Sequence, residues 1–132
     1  MRSVNKVILM GRLGAHPVRR STEKGGSGVH FPLATSYWVS KKVDKGDGAS
    51  EAEEVTCWHQ ISVWGREAET CAEYLKKGDP VYLDGMIVTK GYRDLNGVQK
   101  YSTEIRASQV NFIGRSDVSS RARVEKIADA VS

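Results

Sequence analysis

Apolar and polar positions alternate clearly between Thr56 and Trp64, TCWHQISVW. A strand sends successive side chains to opposite faces. Cys57, His59, Ile61 and Val63 share one face, and the last two suit a core. Thr56, Trp58, Gln60, Ser62 and Trp64 share the other, which is polar apart from two tryptophans. At strand rise those rings stand roughly 20 Å apart. Upstream, Asn5 to Leu13 predicts a first strand, with Val7, Leu9 and Leu13 on one face and Ile8 and Met10 on the other. Apolar residues on both faces imply burial on both, inside a barrel or against a second subunit. Gly14 to Pro17 turns the chain, and Lys24 to Gly28 is a glycine-rich loop. Val29 to Trp38 predicts a second strand, with Phe31 and Leu33 inward and Trp38 on the opposite parity.

Ser40 to Glu54 is polar and charged, and reads as a mobile loop or a frayed hairpin tip. Val55 to Trp64 is the third predicted strand, broken by Gly65. Ala68, Cys71, Ala72 and Leu75 then follow helical spacing, so Glu67 to Lys76 predicts a helix with Gly78 as its C-terminal cap. Pro80 to Arg93 is a long strand, with Val81, Leu83 and Ile87 on the inward parity. Asn96-Gly97 predicts a type I′ hairpin turn. Val98 to Ala107 returns as a fifth strand, and Val110 to Ile113 adds a short apolar end. Three strands, a helix and a two-stranded hairpin, in that order, describe an OB-fold: an all-β, five-stranded Greek-key barrel with one short helix. The domain is expected over residues 1–115. Residues 116–132 form a polar tail, disordered or weakly helical.

Composition narrows the partner. The 132 residues fit one domain, and so small a core often gains stability by oligomerising. Net charge is +4, but five of the sixteen acids fall between Val43 and Glu54. Setting aside that stretch and the charge-balanced tail leaves sixteen bases against eight acids, about +8. Such a body favours a polyanion; ordinary solubilising charge is the blander alternative. Cys57 and Cys71 form no metal or redox motif and read as small buried hydrophobes in a reducing compartment. No signal, transit or transmembrane segment is visible, so the expected location is the cytoplasm.

Large aromatics on a polar face are wasteful unless something stacks on them. Nucleic-acid bases suit, because every base has a π-face. Trp38, Trp58, Trp64 and Tyr92 all fall on non-core parities. One or two could instead fill a subunit interface; all four doing so is a poorer explanation. Bases interleave with them: Lys6 and Arg12 on the first strand, Lys41 and Lys42 after Trp38, Arg66 after Trp64, Lys90 and Arg93 around Tyr92. Cations following phosphates while rings hold bases is what a single strand needs. His16, His30 and His59 lack metal-like spacing, and His59 reads as a hydrogen-bonded structural or interface group. No nucleophile elbow, phosphate loop or functional carboxylate pair is present. The chain is therefore expected to have no catalytic residues, no metal and no cofactor.

VNKVILMGRLG (Val4–Gly14), PLATS (Pro32–Ser36), WHQISVWG (Trp58–Gly65) and EYLKKGDPVYLDG (Glu73–Gly85) resemble the bacterial and mitochondrial single-stranded DNA-binding proteins. The similarity runs from about Ser3 to Gly114. It implies a homotetramer that wraps single-stranded DNA with little sequence preference in replication, recombination and repair. Family stacking positions match Trp58, Trp64 and Tyr92; a fourth matches Trp38, set about one residue early beside Tyr37. His59 matches a position near a subunit interface, where Ile8 and Met10 also belong. Bacterial members end in an acidic tip that recruits partner proteins, whereas this chain ends in EKIADAVS. Recruitment of repair proteins through the tail is therefore not implied. Met1 directly before the domain favours a bacterial, phage or plasmid origin over the mitochondrial matrix. Two alternatives remain, a dimeric primosomal-type OB accessory and an OB-fold nuclease; a third, an oligosaccharide- or protein-binding OB module, explains the tryptophans but not the body charge.

Overall fold

The structure, a computed structural model, describes residues 1–22, 24–42 and 50–113. Residues 43–49, within the segment between the second and third predicted strands, and the tail, 114–132, lie outside the described residues. The elements are β1 (Val7–Leu13), β2 (Val18–Ser21), β3 (Ser27–Lys42), β4 (Ser50–Trp64), α1 (Arg66–Tyr74), β5 (Pro80–Arg93) and β6 (Gln99–Phe112). The sheet runs β1-β5-β6-β4-β3-β2, and β1 also pairs with β3. That pairing closes β1, β3, β4, β5 and β6 into a five-stranded barrel, the OB architecture. The second edge of β3 is shared: β1 takes Leu33 and Ala34, while β2 takes Ser27 to His30.

Alternation decides what is inside. Phe31, Leu33, Ile61, Val63, Val81 and Leu83 are fully buried. Each such side chain contributes about 1.5–3 kcal/mol relative to exposure. The helix supplies Ala68 and Cys71 to the same core, packing on β3, β4 and β6. Cys71 is buried, as expected, but Cys57 is only half-buried because β4 there has left the barrel wall. Ile87 keeps the inward parity yet is 46 % exposed, although Ile105 directly opposite it belongs to the core.

Several boundaries differ from expectation. The acidic arm is strand rather than loop from Ser50 onward: β3 and β4 stay in register from Gly28↔Trp64 to Lys42↔Ser50. Backbone pairing continues where the side chains have become polar. Consequently Glu51, Glu53 and Glu54 belong to the folded body. The described residues carry fifteen bases and ten acids, net +5 rather than +8. The two apolar stretches at the end are one strand, β6, with a register shift at Asp84/Gly85 that leaves Ser108 unpaired. Strand β2 was not anticipated, because VRRS has no apolar alternation and all four residues are exposed.

The helix also stops early. Leu75 is its C-cap, not Gly78. Asp79 is responsible: its carboxylate accepts the Lys76 N–H (3.0 Å) and its own N–H bonds the Lys76 carbonyl (3.1 Å). Gly78 sits inside this turn at φ 91°, a backbone that favours glycine. The hairpin tip is not type I′, which needs two residues at positive φ. Gly97 has φ 77°, but no non-glycine among the described residues has a positive φ. Instead the Gly97 N–H bonds the Asp94 carbonyl (3.0 Å) and the Asp94 N–H bonds Val98 (3.1 Å). This is a three-residue loop whose last position takes the left-handed glycine.

Candidate nucleic-acid interface

Residues directly opposite in an antiparallel pair share a face. Trp38, Trp58 and Trp64 therefore stand on one face of the β3–β4 hairpin, opposite Glu54, Ala34 and Gly28 respectively. Tyr37 points to the other face, opposite Val55, so Trp38 is the one aligned with the other tryptophans. Trp38 is 67 % exposed and Trp58 58 % exposed; Trp64 is half-buried. The two rings of β4 are held by missing side chains. A Cβ on Gly14 would collide with the six-membered ring of Trp58, and a Cβ on Gly28 would lie 2.5 Å from Cε3 of Trp64. Each ring thus occupies the space a side chain at the glycine would fill. The sequence patterns did not reveal these seats, because they require the strand register.

Arg12 joins this face. It pairs with Ala34, which pairs with Trp58, so the three form one row across β1, β3 and β4. Its guanidinium donates to the Gly78 carbonyl (3.1 Å), which fixes the head beside the turn. Next to the row is a groove of about 400 Å³ lined by Met10, Gly11, Arg12, Ala34, Thr35, Ser36, Glu54 and Thr56. Arg66 is exposed at the start of α1, one residue past the Trp64–Gly65 break. Lys41 is exposed on the long arm, opposite Glu51. Lys42 is in strand, but its side chain lies outside the described residues.

Tyr92 occupies a separate hairpin. It is 49 % exposed and shares its face with Lys90 on β5 and Lys100 on β6. Arg93 is exposed on the alternate face. The Lys90 ammonium lies 3.0 Å from Glu104. The lysine side chain is half exposed, whereas that of Glu104 is largely buried. Lys6 is exposed just before β1, next to Asn5, whose amide exchanges two hydrogen bonds with the Ile87 backbone (2.8 and 2.9 Å).

His59 is half-buried, and its Nε2 lies 2.8 Å from Thr35 Oγ1. That is a cross-strand structural bond. Ile8 and Met10 are 56 % and 65 % exposed on the outer face of β1, opposite Asp84 and Tyr82. The double-burial expectation therefore does not resolve inside the barrel. Among the described residues no group of three or more His, Cys, Asp or Glu could hold a metal, and no helix is long and apolar enough to cross a membrane.

The model of the Single-strand binding protein family matches residues 4–113. The chain belongs to this family. Family members bind DNA and are not enzymes, which displaces the nuclease alternative. Single-stranded DNA-binding protein 1 of the bacterium Chlorobaculum tepidum is 41 % identical over 117 residues, spanning 88 % of this chain and 68 % of that protein. A solved Plasmodium falciparum SSB complex with ssDNA superposes with a TM-score of 0.72 at 28 % identity, covering 86 % of this chain and 98 % of that one. Family membership and the closed barrel agree with the fold expected from strand order.

Proposed function

We propose that this chain binds and protects single-stranded DNA with little sequence preference during replication, recombination and repair. Trp38, Trp58, Trp64 and Tyr92 stack on bases. Lys6, Arg12, Lys41, Lys42, Arg66, Lys90 and Arg93 neutralise phosphates. The observation that carries this reading is the pair of tryptophans on β4, on one face of the hairpin and each packed against a glycine. A fixed ring loses little entropy when a base stacks on it, and each such contact is worth roughly 1–3 kcal/mol. Titration with poly(dT) at low salt should quench the tryptophan fluorescence strongly, and added salt should reverse it. Absence of quenching at low salt would sink the proposal.

The protein acts as a homotetramer in this reading. Exposed Ile8 and Met10, with half-buried His59, supply an apolar surface suited to a second copy. The mass of the particle, alone and on a long oligonucleotide, tests it directly. Four copies are expected. Two would favour the primosomal-type dimer.

A further inference from the structure

The row Arg12–Ala34–Trp58 has a counterpart. Arg20 on β2 pairs with Gly28 on β3, and Gly28 pairs with Trp64 on β4. Both rows read arginine, small residue, tryptophan across three neighbouring strands. Both present these side chains on the same face, because directly paired residues share a face. In the second row the small residue is glycine and the ring lies on it, so no side chain separates the ring from Arg20. At two strand spacings the backbones of Arg20 and Trp64 are roughly 10 Å apart, a gap the two long side chains enter from both sides. Arg20 is exposed and forms no ion pair or hydrogen bond among the described residues. Its neighbour Arg19 pairs with Val29 and takes the opposite face.

We infer that Arg20 is the phosphate-binding partner of the Trp64 stacking platform, and that β2 exists to deliver it. The two rows share a pattern, a ring and an arginine across a small residue, but the Arg12 guanidinium is held on the Gly78 carbonyl whereas the Arg20 side chain has no partner among the described residues. The short β2 has no core residue, so its four exposed positions are explained by what they carry rather than by packing. Arginine suits the role because its planar fork binds phosphate in two-pronged fashion and stays charged. This inference rests on the proposed stacking at Trp64.

The experiment measures poly(dT) affinity against salt for the unaltered protein and four variants. Arg20→Ala should lower the slope of log Kobs on log salt by about 0.7, the value for one phosphate on a single strand. The quenching amplitude at saturation should stay unchanged, since the rings remain. Arg20→Lys should restore most of the slope. Arg19→Ala, an equal loss of charge one residue away, should leave it within error. An unchanged slope in Arg20→Ala overturns the inference, and so does an equal fall in Arg19→Ala. A fall in amplitude that lysine does not rescue marks a structural role and overturns it too. Trp64→Ala is the separate check on the stacking reading: an unchanged amplitude there removes the platform itself.

Discussion

A ring on a strand serves as a platform only if it is held still, and here glycine does the holding. Filling the seat should therefore act like losing the ring. Gly28→Val places a side chain where Trp64 now lies. Binding of a poly(dT) oligonucleotide should weaken roughly 5- to 150-fold, as for Trp64→Ala, with less quenching at saturation. The protein should stay folded by circular dichroism, because Gly28 faces away from the core residues Val29 and Phe31. Cysteine reactivity gives a second residue-level prediction. Burial, reinforced by the charge of Glu67, pushes the Cys71 thiol up to about 12. A thiol reagent at pH 8 should therefore modify half-buried Cys57 and spare Cys71 until the protein is unfolded. Fast labelling of two thiols in the native state would contradict this.

At the scale of elements, the β5–β6 hairpin is set by one carboxylate. Asp94 accepts the Asn96 and Val98 N–H groups (both 2.9 Å) and lies 3.3 Å from the Lys100 ammonium. The bond from Val98 is the main reason its carboxyl is held below the usual value of 3.8, with Lys100 and Asn96 assisting against a small opposing effect of burial. A depressed carboxylate stabilises the fold above its unfolded value, and that contribution is lost as pH falls through the folded one. The loop should thus be fully ordered at neutral pH and loosen only below about pH 4. Asp94→Ala should loosen it at pH 7. Faster amide exchange at Asn96 and Val98, with the barrel unaffected, would be the sign.

The same hairpin shows where sequence patterning stops. Strand order, the inward residues and the outward tryptophans were legible, because alternation and burial are local in the chain. The turn type was not, since Asn-Gly fits both a two-residue and a three-residue loop and Asp94 decides between them. Nor was β2, held by backbone bonds alone, nor the polar arms of β3 and β4. The glycine seats and the arginine rows depend on register between strands distant in sequence. Pairs such as Gly28↔Trp64 cannot be read from spacing.

At the scale of the whole molecule, two long hairpins are joined by short seams. β3 and β4 pair over their full length, as do β5 and β6 apart from the bulge. The barrel closes through only Arg12↔Ala34 and Leu13↔Leu33, and through the parallel contacts Ile61↔Ile105 and Ser62↔Arg106. The first of those seams carries the row Arg12–Ala34–Trp58, part of the proposed DNA site. Ligand bound across it should therefore stabilise the fold by mass action. Thermal unfolding with saturating poly(dT) should show a higher Tm, with a smaller rise at high salt as phosphate contacts are screened. An identical Tm with and without DNA would mean that the bound strand does not span that seam.

Asn5 stands at the margin of this design. Its side-chain amide gives and takes one hydrogen bond with the Ile87 backbone, as a paired strand residue would. Beyond β1, that side of β5 would otherwise be an open row of donors and acceptors next to exposed Ile87 and Met86. Unpaired edges of this kind recruit strands from other molecules. By filling the first vacant position, Asn5 acts as a stopper against runaway assembly. Closed there by Asn5, the edge offers a strand of another molecule fewer free donors and acceptors.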